Sequence, residues 1–147
     1  MLSPSLEDYL EEIYRLSILK SSIRVLDIAD RLNVSSPSVV KALKKLHEEK
    51  LIRYIRYTEI RLTDDGEKLG RLLVRRNAVL QEFLKVIRSN CNLEKEAEAM
   101  EHYLSPPTIS AIENLIAFLK LKEVREMYDK FNEPPSDTHW SDKIQTQ

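Results

Sequence analysis

Apolar positions recur at helical spacing along most of the chain and alternate strand-like only over one short stretch near residue 60. Leu6, Leu10, Ile13 and Ser17, widened by Tyr9, Tyr14 and Leu16, mark one face of a helix from Pro4-Ser5 to about Leu19. Ser5 is its expected N-cap, with Asp8 as capping-box partner. Val25–Leu32 reads as a short helix with Val25 or Leu26, Ile28, Ala29 and Leu32 inward, closed by Asn33. Ser35-Ser36-Pro37 opens the next, running to about Lys50 with Val39 or Val40, Leu43 and Leu46 inward. Two helices across so tight a turn form a helix-turn-helix pattern. Residues 51–56 and 59–62 then flank Tyr57-Thr58, with Ile60 and Leu62 alternating inward, which predicts a hairpin lacking the usual Asn-Gly turn. A ribbon directly behind a helix-turn-helix is a wing.

Thr63–Glu67 caps a long helix to about Arg88, with Leu69, Leu72 or Leu73, Val79 or Leu80, Phe83 and Ile87 inward. Asn90–Asn92 breaks it. Leu93, Ala97, Met100 and Leu104 stripe a further helix, which Ser105–Thr108 is predicted to end; Ile109–Leu119 and Leu121–Phe131 complete the set. From Asn132 the chain turns to Pro, Ser, Asp, Thr and Gln without periodicity, so 132–147, with His139 and Trp140, is expected to be a mobile tail. The predicted fold is mainly α: an N-terminal winged helix-turn-helix over 1–70, then an all-helical domain over 71–131.

Composition narrows the chemistry. Two glycines, with no Gly-x-Gly-x-x-Gly or phosphate-loop pattern, argue against a nucleotide site. A single cysteine, Cys91, excludes an internal disulfide and fits a reducing compartment. No signal peptide or apolar span is visible, so the expected location is cytoplasmic, away from membranes. Net charge is −1, but it is divided: residues 1–76 hold 15 Lys/Arg against 12 Asp/Glu, and residues 77–147 hold 8 against 12. Seven basic residues crowd into 41–61 against three acidic ones, where a DNA-reading element would sit.

Two constellations stand out. Glu98, Glu101 and His102 lie at i, i+3 and i+4, and the first helix repeats the theme with Asp8 and Glu11 at i, i+3. Such a carboxylate-rich set with one imidazole suits Mn²⁺ or Fe²⁺ better than structural Zn²⁺, and bridging carboxylates would let it hold two ions. The plain alternative is a solvated helix face. For DNA, Ser35, Ser36, Pro37, Ser38 and Lys41 occupy the half of the second helix that enters a major groove. Lys44, Lys45, Arg53, Arg56 and Arg61 are candidate phosphate positioners. The competing functions are a winged-helix scaffold that binds protein and keeps a vestigial metal site, and a carboxylate-metal hydrolase. The latter lacks a Ser-His pair, a second histidine or a positioned lysine near the cluster, and no small-molecule substrate is expected.

The segments Pro4-Ser5-Leu6-Glu7-Asp8-Tyr9-Leu10-Glu11, Val25–Ala29, Val34–Val39, Leu62-Thr63…Gly66 and Glu98-x-x-Glu101-His102-x-Leu104-Ser105 together resemble the diphtheria-toxin-repressor-like metalloregulators, nearest the manganese transport regulator branch. The resemblance spans about residues 3–131. It implies a homodimeric, metal-activated repressor of metal-uptake genes that binds a palindromic double-stranded operator, with 71–131 as metal-binding and dimerisation domain. It also implies the two-domain form, without the SH3-like domain of the iron-dependent cousins. On that branch's ligand positions for a two-ion site fall Asp8, Glu11, Glu98, Glu101 and His102, with Mn(II) the implied corepressor and Fe(II) or Zn(II) as alternatives. One position departs: Asn77 stands where the branch offers a histidine, and its neutral carbonyl oxygen is a weaker donor than imidazole.

Overall fold

Serine followed by proline is this chain's recurrent helix start. In the computed structural model, which describes residues 2–56 and 58–133, Ser3, Ser35 and Ser105 cap helices with proline in the first turn. Each cap serine has extended backbone and its hydroxyl accepts the N–H three residues on, satisfying a donor the helix leaves orphaned. Proline costs nothing there, because its missing N–H would have had no partner.

The elements run α1 (Pro4–Leu19), α2 (Val25–Leu32), α3 (Ser36–Glu48), β1 (Ile52–Arg53), β2 (Arg61–Leu62), α4 (Asp64–Val86), α5 (Leu93–Glu101), α6 (Pro106–Leu119) and α7 (Lys122–Asn132). The fold is mainly helical, with an N-terminal helix-turn-helix, a small antiparallel wing and a helical C-terminal part. Asn33 closes α2 in the left-handed region (φ 52°), which asparagine tolerates well.

Several local expectations are corrected. Ser3, not Ser5, caps α1, and Ser17 is exposed while Leu16 is buried. Ser105-Pro106-Pro107 starts α6 rather than ending α5, which stops at Glu101 with His102 as its C-cap. The wing strands have two residues each, because their next residues pair elsewhere. The Ile60 N–H donates to the Ile23 carbonyl (3.3 Å), and the Tyr54 N–H to His47 Nδ1 (3.3 Å). In α4, Leu84 is buried and Leu72 exposed, and glycines at 66 and 70 sit on the inner face. Of the sequence-predicted tail, residues 134–147, His139 and Trp140 among them, lie outside the described residues, as does Tyr57 in the wing.

Two apolar clusters result. Leu10, Ile13, Ile28, Leu43, Leu46, Ile52 and Ile60 join α1, α2, α3 and the wing, and α4 enters this cluster through Leu73. The second gathers Val79, Leu80 and Leu84 of α4 with Ala97 of α5 and Ile109 and Ile116 of α6. One long helix therefore belongs to both cores, with Asn77 between its two contributions. Gly70 brings α1 against it: a Cβ there would stand 2.6 Å from the Tyr14 Cβ. Thr63 fixes its start, accepting from the Gly66 N–H (3.1 Å) and donating to the Lys50 carbonyl (2.7 Å). Among the described residues no helix is long and apolar enough to cross a membrane.

Candidate metal centre and nucleic-acid interface

Helices α1 and α5 both pack against α4, which brings side chains far apart in sequence to one point. Asp8 on α1 and Glu101 and His102 at the end of α5 each offer a ligand atom within 4.8 Å of the others. His102 Nε2 lies 3.1 Å from Asp8 Oδ1 and 3.8 Å from Glu101 Oε1. Glu11, Asn77 and Glu98 do not join that tight group, but line the same cleft of about 290 Å³ beside Asp8 and Glu101. Glu11 holds Arg15 (2.6 Å), one turn along α1.

Glu101 is the anomaly. It is 1% exposed, and its Oε2 is buried without a hydrogen-bond partner. A carboxylate withdrawn from water and left half unsatisfied costs free energy until a proton or a cation meets it. Burial, reinforced by the charge of Glu11, accordingly pushes the Glu101 carboxyl from its ordinary 4.5 up to about 7, against the pull of Asn77, Arg76 and His102. Asp8 is also raised, mainly by desolvation and then by Glu98 and Glu11, with His102 opposing. An acidic cluster that resists its own ionisation is a site short of positive charge. Its donors, two carboxylates and an imidazole, are those a divalent transition-metal ion takes.

Asn77 is buried (8% exposed), and its Oδ1 accepts from Gln81 Nε2 (2.7 Å). One lone pair of the carbonyl is thus already used. Sequence reasoning passed over Glu7, whose Oε2 accepts from His102 Nδ1 (2.9 Å) and from Arg76 (2.7 Å). The signal was faint: a carboxylate next to Asp8 in sequence points away from it on an ideal helix, so neither spacing nor charge marked it.

In the helix-turn-helix, Ser35, Pro37, Ser38, Lys41, Lys44 and Lys45 are exposed from the N-cap of α3 to its last turn, with Ser36 half-buried. Ser35 and Ser38 share a hydroxyl contact (2.8 Å) within the cap. Arg53, Arg56 and Arg61 are exposed on the wing. Arg53 stands directly opposite Arg61 in the ladder, a like-charge pair that costs stability unless an anion lies over it; Glu59 offsets part of this by pairing with Arg61 (2.7 Å). Between α2, α3 and the wing runs a cleft of about 1030 Å³, which Lys44 and Arg56 line together with Arg24. Arg24 was not singled out from sequence, because it is an isolated cation ahead of α2.

Comparison with known proteins places both halves. The family described as "Iron dependent repressor, N-terminal DNA binding domain" matches residues 1–60, and "Iron dependent repressor, metal binding and dimerisation domain" matches residues 63–139. The HTH-type transcriptional regulator MntR of Shouchella clausii (strain KSM-K16) is 37% identical over 143 residues, covering 93% of this chain and 99% of that protein. Among solved structures, that of the manganese regulator SloR superposes with a TM-score of 0.69 at 29% identity over 80% of this chain. ScaR with bound Zn²⁺ gives 0.64 at 31% over 77%. The chain spans 55% and 54% of the lengths of those two structures.

Proposed function

Since this chain belongs to the iron-dependent repressor family, and is a metal-dependent DNA-binding transcriptional regulator rather than an enzyme, we propose that it is a cytoplasmic, manganese-responsive repressor of metal-uptake genes. The observation that carries this reading is Glu101, a buried carboxylate with an orphaned oxygen, beside His102 at the end of α5 and near Asp8 of α1. A divalent ion bound there supplies the positive charge that the cluster lacks. Asp8 belongs to the helix that packs under the helix-turn-helix, whereas Glu101 and His102 end α5. Closing these three side chains on one point holds the DNA-reading half against the helical half. Mn(II) fits the carboxylate-rich donors and the names of the relatives; Fe(II) and Zn(II) compete for the same atoms. Glu11, Asn77 and Glu98, which line the same cleft, form the position for a second ion, with Asn77 its weak corner because Gln81 takes part of its carbonyl.

On the DNA side, Ser35, Ser36, Pro37, Ser38 and Lys41 face the major groove. Lys44, Lys45, Arg53, Arg56 and Arg61, joined by Arg24, hold phosphates. A single recognition helix reads few base pairs, so the working unit is a homodimer on a palindromic operator. The apolar surface left open on α6 and α7, with Phe118 at 55% exposure and Met127 at 70%, is the surface through which it pairs.

The test is a mobility shift on a palindromic duplex selected from a randomised library. Binding with Mn(II) present, lost on chelation and lost in Glu101→Ala at the same metal concentration, is expected. Equal affinity with and without metal overturns the reading.

A further inference from the structure

The imidazole of His102 is held at both nitrogens by consecutive residues of α1. Asp8 lies at Nε2 (3.1 Å), and Glu7 Oε2 receives Nδ1 (2.9 Å). Adjacent helical residues diverge by about 100°, so they reach the two edges of one ring only because the ring is inserted between them. The Glu7 carboxylate is itself fixed by Arg76 of α4, which donates to the same oxygen (2.7 Å). All three side chains are well shielded, with 17% of Glu7, 13% of Arg76 and 11% of His102 exposed. Arg76 keeps this contact away from bulk water, although its own buried Nε finds no partner.

We propose that Glu7 is the positioning residue of the metal site. It holds the Nδ1–H of His102, so that the Nε2 lone pair is presented toward Asp8 and Glu101. A metal-ligating histidine needs one nitrogen free of hydrogen, and a carboxylate on the other nitrogen fixes both tautomer and ring plane. Glu7 does this from α1 while anchored to α4, so the ring is aligned by the same contacts that join three helices. A change at Glu7 therefore acts on affinity through the ring, without removing a donor from the site. The inference rests on the metal-site reading above, but its first consequence is visible in the metal-free protein.

The experiment compares the wild type with Glu7→Ala and Glu7→Gln. In metal-free protein, ¹⁵N shifts of the His102 ring report which nitrogen carries hydrogen, and Mn(II) affinity is measured separately by competition with a chelating dye. The wild type is expected to show Nδ1–H at His102. Glu7→Ala is expected to lose that preference and to bind Mn(II) about 10–100-fold more weakly. Glu7→Gln keeps an acceptor oxygen and recovers most of both. An unchanged ring tautomer in Glu7→Ala overturns the proposal even if affinity drops, since the loss would then be structural, and so does unchanged affinity. Failure of the wild type to bind Mn(II) would instead count against the metal site itself, while the ring shifts still decide the role of Glu7. Should Glu7→Ala not fold, Glu7→Gln carries the test: a ring that loses its Nδ1–H preference while an acceptor oxygen is still in place overturns it.

Discussion

Glu101 shows how a single residue can encode a need. Its carboxyl is raised from 4.5 to about 7, so the folded, metal-free protein binds this proton more tightly than the unfolded chain does. Folding is then favoured below the unfolded value, and that contribution is lost as pH rises through about 7; the raised carboxyl of Asp8 acts in the same direction. Metal-free protein should melt lower at about pH 8 than at about pH 5, by on the order of 5 °C, with the slope flattened in Glu101→Gln. Mn(II) should restore stability mainly at the higher pH, where no proton has to be displaced. Calorimetric scans across this range check it, and a flat wild-type profile contradicts the buried, ionisable state of Glu101. At this scale the sequence was partly readable. Helical spacing grouped Asp8 with Glu11 and His102 with Glu98 and Glu101 while leaving a solvated face as the alternative, and of these five the structure brings Asp8, Glu101 and His102 into one tight group. Glu7 stood in neither group, because its role depends on where another helix inserts a ring, which no local pattern records.

At the scale of elements, the helix bearing Asp8 is placed by the smallest residue in its partner. Gly70 lets α4 approach α1 until a Cβ would stand 2.6 Å from the Tyr14 Cβ and 3.0 Å from its Cγ. Tyr14 cannot yield by rotation, since the nearest atom is its own Cβ, so Gly70→Ala must push the helices apart. We expect a loss of about 1–3 kcal/mol in urea unfolding, together with weaker Mn(II) binding although no ligand is touched. Intact metal affinity in a destabilised Gly70→Ala would show that the site tolerates the shift. The elements themselves were largely legible, since α2 follows its apolar period to the residue and Thr63 caps α4 as its sequence implies. Misreadings cluster where one signal serves two purposes. Ser105-Pro106-Pro107 reads as a stop to the helix before it and is a start to the helix after it. The wing shrank because Ile60 and Tyr54 spend backbone N–H groups on Ile23 and His47, pairings set by tertiary contact.

At the scale of the whole molecule, charge and hydrogen bonding divide the labour. The first 76 residues carry the excess of positive charge and the remainder the excess of negative, while α4 runs through both cores. Glu7, Asp8 and Glu11 are acidic residues that the DNA-reading half turns toward this divide; Asp8 and Glu7 meet Glu101 and His102 beyond it, and Arg76 at its edge holds Glu7. DNA affinity should therefore depend on two separable terms: the alignment of the halves, set at the metal centre, and the holding of phosphates at α3 and the wing. Arg53 isolates the second. It faces Arg61 across the ladder and lies far along the chain from every metal-site residue. Arg53→Ala removes a like-charge pair from the free protein, so thermal stability should hold or rise slightly. The same change should weaken binding to every duplex alike and make the salt dependence of log K shallower by about 0.9 for each phosphate that Arg53 neutralises. Mn(II) affinity should stay at the wild-type value. Titrations of a palindromic and a scrambled duplex at several salt concentrations measure both effects. An unchanged slope would remove the wing from the DNA interface and leave α3 to carry it.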